Sequence, residues 1–162
     1  MASDPAAAPP GFGLSLKGRA LRYLAAREHS RAELARKLAA HAESPEQLAQ
    51  VLDELQAKGF ISEQRVVESV IHRRAPKLGA ARIRQELTAK GLPQEAIRDA
   101  EAVLQATELE RAREVWRKKF GTPPANASER SKQQRFLTAR GFAAEAIRRV
   151  VSSPSDDGFE GN

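Results

Sequence analysis

Three histidines, His29, His41 and His72, are the only imidazoles in the chain. No two stand three or four residues apart, the spacing that would set two metal ligands on one helix face. Cysteine is absent, which excludes disulfides and thiolate metal sites and permits a reducing compartment. There is no glycine-rich phosphate loop, no G-x-S-x-G and no H-E-x-x-H, and the acids are spread over helix faces among lysines and arginines. This pattern predicts no catalytic site, no metal and no cofactor: the chain is not an enzyme. His29 and His72 read as ordinary surface or helix-end residues. Trp116 and Phe120, four apart, read as core rather than a base-stacking platform.

The chemistry that remains is that of positive charge. Arg73, Arg74 and Lys77 lead into Arg82 and Arg84; Arg117, Lys118 and Lys119 follow; Arg130, Lys132, Arg135 and Arg140 come last. The formal net charge of +6 understates this, because all 27 Lys and Arg but only 17 of the 21 acids lie between positions 17 and 149, giving that stretch +10. A body this basic attracts phosphate backbones or acidic protein surfaces through counterion release and summed charge. The competing reading is capping, snorkelling and surface pairing. For any one arginine the two readings weigh equally; for the set, interaction is favoured.

The elements that must carry these cations are helices. Leu16, Ala20, Leu21 and Leu24 line a first helix, and Ser30-Arg31-Ala32-Glu33 is a capping box opening a second with Leu34 and Leu38 inward. Ser44-Pro45 opens a third, striped by Leu48, Val51, Leu52 and Leu55, and Gly59 suits its left-handed stop. Ser62 caps a fourth with Val66, Val67, Val70 and Ile71, ended by Pro76. A fifth runs from about 79 to 90 around Ile83 and Leu87; Pro93 starts a sixth with Ile97, Val103 and Leu104 inside. The seventh covers about 107–120, Ser128 or Ser131 caps the eighth, and 143–151 makes a ninth. No stretch alternates as a strand would.

Nine helices form three sets of three. Glu86-Leu87-Thr88-Ala89-Lys90-Gly91-Leu92 is echoed by Phe136-Leu137-Thr138-Ala139-Arg140-Gly141-Phe142, and Glu95-Ala96-Ile97-Arg98 by Glu145-Ala146-Ile147-Arg148, an offset of about 50 residues. The expected organisation is an Ala/Pro-rich disordered arm over 1–14, three-helix repeats over 15–60, 61–106 and 107–151, and an acidic disordered tail over 152–162. Few aromatics favour thin repeated layers over one large core, stacked into an elongated, curved, all-α body. No apolar run approaches the roughly 20 residues of a membrane span, and no signal peptide is expected, so the cytoplasm is the expected compartment.

At these same residues the chain resembles the RecX family. Arg82-Ile83-Arg84-Gln85-Glu86-Leu87 with Lys90-Gly91-Leu92 is similar to that family's most recognisable segment. Residues 24–38, Lys58-Gly59-Phe60-Ile61-Ser62-Glu63-Gln64-Arg65, Arg117-Lys118-Lys119-Phe120-Gly121, and Arg135-Phe136-Leu137 with Arg140-Gly141-Phe142 follow in register over about 16–151. The chain departs from the family where Ser62-Glu63 stands for a paired acid and Lys77-Leu78-Gly79 for an aromatic between glycines. The resemblance implies a regulator of the RecA recombinase. Such a protein binds the RecA–single-stranded DNA filament and depresses its ATPase, strand-exchange and co-protease activities, limiting recombination, DNA repair and the SOS response.

The expected partners are thus the RecA filament and single-stranded DNA, with duplex DNA as a further candidate beside them; no membrane is expected, and the chain is expected to be a monomer. The surface expected to face the filament comprises Arg73, Arg74, Lys77, Arg82, Arg84, Arg117, Lys118, Lys119, Arg130, Lys132 and Arg135. Two readings compete with this one. Residues 30–58 could form a helix-turn-helix DNA-binding module or transcription regulator, or the charge could serve a pure protein adaptor.

Overall fold

The computed structural model describes residues 13–152. The expected arm and acidic tail therefore lie outside the described residues, apart from Gly13, Leu14 and Ser152. Among the described residues there are eight α-helices and no strand: α1 Leu16–Ala26, α2 Arg31–Leu38, α3 Pro45–Ala57, α4 Glu63–Arg74, α5 Ala80–Ala89, α6 Gln94–Lys119, α7 Ala127–Ala139 and α8 Ala144–Val151, with one 3-10 turn, Ala39–His41. The chain divides within α4 into two compact units, 1–66 and 67–162.

In the first unit, side-chain caps set where helices begin. The Ser15 hydroxyl accepts from Gly18 N–H, Ser30 and Glu33 form the reciprocal capping box, and Ser44 accepts from Gln47 N–H with Pro45 at the first helical position. Each satisfies a donor that the helix end leaves without a partner. Gly59 closes α3 at φ +80°, where a side chain would be strained. Leu16, Ala20, Leu34, Leu38, Leu52, Leu55 and Ile61 pack into the core. Outside it, Glu54 bridges Lys17 of α1 at 2.6 Å and Lys58 at 2.8 Å, and these two ammonium groups pull its pKa down to about 2.

His29 is not a surface residue. It is 1% exposed, with Nδ1 3.0 Å from the Arg27 carbonyl and Nε2 2.9 Å from Lys37 Nζ. It lies in the turn between α1 and α2, next to the buried Ser30 cap.

The second unit is organised around α6. The expected sixth and seventh helices are one continuous helix, because residues 105–110 contain neither glycine nor proline and nothing there breaks the hydrogen-bond ladder. Its buried stripe is Ile97, Ala100, Leu104, Glu108 and Ala112; Val103, expected inside, falls off that stripe and is 62% exposed. α6 packs on both α5 and α8. Ala112, Leu137, Phe142, Ala146, Ile147, Val150 and Val151 form a core cluster, with Leu109, Val115, Trp116 and Phe136 against it. The cap of α7 is Asn126, accepting from Glu129 N–H, rather than Ser128 or Ser131, which lie inside the helix. Trp116 Nε1 donates to the buried Gln133, which in turn donates to the Thr122 carbonyl, tying the loop after α6 to α7.

Candidate polyanion-binding surface

The N-terminus of α5, where Arg82 and Arg84 begin, has no side-chain cap of its own. Its donors are satisfied from elsewhere in the second unit. Gly79 N–H donates to the Arg140 carbonyl at 2.8 Å, Ala81 N–H to the Gly141 carbonyl at 3.3 Å, and Ala80 N–H to the Glu108 carboxylate at 3.1 Å. A carboxylate at a helix N-terminus also complements the macrodipole. The two backbones meet so closely that a Cβ on Gly79 would lie 2.3 Å from the Gly141 carbonyl carbon, which only glycine permits.

Arg111, one turn along α6 from Glu108, holds the preceding loop. Its Nη1 donates to the Ala75 and Leu78 carbonyls at 3.0 and 2.6 Å, and its Nη2 to the Leu104 carbonyl at 3.0 Å. Burial holds the Arg111 guanidinium below its ordinary pKa, and the Glu108 charge opposes that shift. Lys77 sits within the loop that Arg111 pins.

The eleven cations expected at the surface separate into distinct roles. Arg82 is a clasp within the fold: its Nη1 donates to the carbonyl of Ala139, the last residue of α7, at 2.8 Å. Arg74 pairs with Glu86 at 3.1 Å and Arg84 with Glu101 at 3.3 Å. Arg117 grips both oxygens of Glu114, at 2.6 and 3.0 Å, and holds that carboxyl below its usual range. Arg73, Arg130, Lys132 and Arg135 are exposed along α4 and α7.

Lys77, Lys118 and Lys119 come together, from the α4–α5 loop and the end of α6, around an open groove of about 430 Å3. Arg140 completes the ring, and Pro76, Val115 and Phe136 provide apolar lining. Lys119 Nζ lies 5.5 Å and Arg140 Cζ 4.9 Å from the Phe136 ring centroid, both within cation–π range. Phe120 meets the same ring edge-on at 5.4 Å. Arg140 stood in the third basic cluster of the sequence but not in the set expected to face the filament. The signal was present in the internal echo, which sets Thr-Ala-Arg-Gly against Thr-Ala-Lys-Gly and so marks Arg140 as a helix-end residue, apart from Lys132 and Arg135. Nothing local in the sequence marked Phe136 as the ring beneath two cations.

Among the described residues no group of three or more His, Cys, Asp or Glu side chains could hold a metal ion, and no helix is long and apolar enough to cross a membrane.

Residues 17–55, 62–100 and 106–151 match, in chain order, the family patterns described as the first, second and third three-helix domains of RecX. The chain belongs to the RecX family. It is 62% identical over 138 residues to the regulatory protein RecX of Leptothrix cholodnii, covering 85% of this chain and 88% of that one. It is 49% identical over 154 residues to the regulatory protein RecX of Ralstonia nicotianae, covering 93% and 97%. The crystal structure of RecX from Lactobacillus salivarius shares the fold, with a TM-score of 0.72 at 18% identity, over 84% of this chain and 92% of that one. A second RecX crystal structure has a TM-score of 0.68 at 23% identity, over 83% and 70%. In this RecX chain the interval between the second and third domains, residues 101–105, falls inside α6. One helix therefore closes one RecX domain and opens the next.

Proposed function

We propose that this chain binds the RecA–single-stranded DNA filament and inhibits its ATPase, strand-exchange and co-protease activities, acting in the cytoplasm as a monomer without turnover of its own. The observation that carries this reading is the match of all three RecX domains in order, to relatives named as regulatory proteins. The exposed cations of the second unit support it: Arg73, Lys77, Lys119, Arg130, Lys132 and Arg135 form the filament-facing set, with Arg74, Arg84, Arg117 and Lys118 as paired members. Arg82 belongs to this strip only through its exposed surface, since its guanidinium serves the fold. The helix-turn-helix alternative draws little support from α3, where Asp53 and Glu54 carry the outward face in ion pairs with Arg31, Lys17 and Lys58.

The test is RecA-catalysed ATP hydrolysis on single-stranded DNA, titrated with the purified chain. Hydrolysis is expected to fall with added chain, while the chain alone hydrolyses no ATP. An unchanged RecA rate at molar excess would falsify the regulator reading.

A further inference from the structure

We propose that the groove between Lys77, Lys118, Lys119 and Arg140 is a direct seat for single-stranded nucleic acid, with phosphate on the cations and a base against the apolar wall at Phe136. The proposal rests on the reading above, which names the single strand, and adds the place where the strand sits and the contact its base makes.

Charge comes first. Four cations line the groove, and among the described residues no carboxylate does. Lys118 stands 3.8 Å from Glu114, and that carboxylate is gripped at 2.6 Å by Arg117. The Lys118 ammonium thus keeps donors for an incoming oxygen. Lys119 and Arg140 lie over the negative face of the Phe136 ring, and among the described residues no ion pair engages either of them. They are placed in advance without being neutralised, which lowers the ordering cost of binding an anion.

Position comes second. Lys77 is on a loop whose carbonyls at Ala75 and Leu78 are fixed by Arg111. Arg140 ends α7, where its own carbonyl holds Gly79. The cations therefore ride on backbone that the fold has already locked.

The apolar wall selects the ligand. Pro76, Val115 and Phe136 offer nothing to a bare phosphate or to an acidic peptide side chain, but they match the flat face of an unpaired base. In a duplex the bases are stacked away from such a wall, and only phosphates would reach the cations. The volume of about 430 Å3 lies in the roughly 300–1,000 Å3 range of small-ligand sites, room for one nucleotide rather than a helix or strand of protein.

The experiment uses the full chain without RecA and a fluorescent oligothymidylate of about 15 nucleotides, near the upper span of one small binding module. Anisotropy is followed across a salt series. The parent is expected to bind. K77Q/K118Q/K119Q, which keeps the long stems, is expected to lower the slope of log affinity against log salt by about 2, at about 0.7 per phosphate on a single strand. F136L is expected to weaken binding roughly tenfold, through loss of the base contact and of the ring that places Lys119 and Arg140, with little change in slope because all four cations remain. If F136L melts, the lysine variant decides alone.

Four results overturn the proposal: a parent that does not bind; a lysine variant with parental affinity and slope; polyglutamate of matched charge displacing the probe as well as unlabelled oligothymidylate does; or a duplex of equal length binding as tightly. RecA ATPase assays on the same samples separate the two readings. Inhibition without oligonucleotide binding overturns the groove alone, and groove-dependent binding without inhibition overturns the regulator reading alone.

Discussion

His29 shows what a single residue can hide. Its Nδ1–H donates to the Arg27 carbonyl, and its Nε2 accepts from Lys37, whose ammonium lies 4.7 Å from the Tyr23 ring centroid. This arrangement requires a neutral imidazole, because protonation would leave two cationic donors facing each other. Burial pushes its pKa below the ordinary 6.5; the charges of Arg27 and Lys37 push the same way, while the Arg27 carbonyl and the Glu33 carboxylate oppose. The folded pKa lies under the unfolded one, so the unfolded chain binds more protons in the interval between them. Stability contributed by neutral His29 is therefore present above pH 6.5 and lost as pH falls from there through the folded value. Thermal melts followed by circular dichroism are expected to show the first unit weakening over that window, with His29→Gln flattening the dependence. A parental melt that stays flat as pH falls below 6.5 would count against this linkage. The sequence did not disclose the role because the partners, Tyr23 and Lys37, lie six residues before and eight after His29, and a turn rather than a helical period joins them.

At the scale of elements, caps, stops and most apolar stripes could be read from residue order, because each is a local rule. Ser30 with Glu33, Ser44 with Pro45 and Gly59 all act within one turn of chain. The continuity of α6 was harder to see. The stripe Ile97, Ala100, Leu104, Glu108, Ala112 has helical spacing throughout, but a glutamate in a buried stripe looks like an interruption, and the 50-residue echo invites a break there. Glu108 belongs inside because its carboxylate caps Ala80 N–H of α5, a bond to a residue 28 positions away in sequence that no local pattern reports. Glu108→Ala leaves that buried donor unpaired and removes the charge that supports Arg111. It is expected to cost the second unit about 2–4 kcal/mol. Glu108→Gln keeps an acceptor and is expected to cost less. Urea unfolding followed by Trp116 fluorescence measures both; an alanine variant as stable as the parent would show that the carboxylate does not hold α5.

Over the whole molecule, charge is divided unequally. The first unit carries 9 basic and 7 acidic residues over 13–66, and the second 18 and 10 over 67–152. In the first unit many of these charges face each other: Lys17 with Glu54, Arg27 with Glu33, Arg31 with Asp53, Arg65 with Glu28. The excess that a polyanion would feel at long range therefore belongs to the second unit. The sequence made the excess legible, since charge is additive, but not which cations the fold would employ: Arg82 looked equivalent to Arg84 until its bond to Ala139 distinguished them. Replacing Arg82 would confound binding with folding, and so would replacing Arg31 of the first unit, which is bonded to Gln56 and the Ala49 carbonyl. Arg73, Arg130, Lys132 and Arg135 are exposed on α4 and α7 and make the better set, with Arg19 and Arg22 on α1 as the comparison. Changing those four to glutamine is expected to raise the concentration needed for half-inhibition of RecA ATPase and to lower the salt slope of that value by about 3, at about 0.7 for each phosphate no longer neutralised. R19Q/R22Q is expected to move both quantities less per charge removed, because its unit contributes little net field. Equal effects per charge from the two sets would mean that RecA and its DNA respond to total charge, and the second unit would lose its claim to the interface.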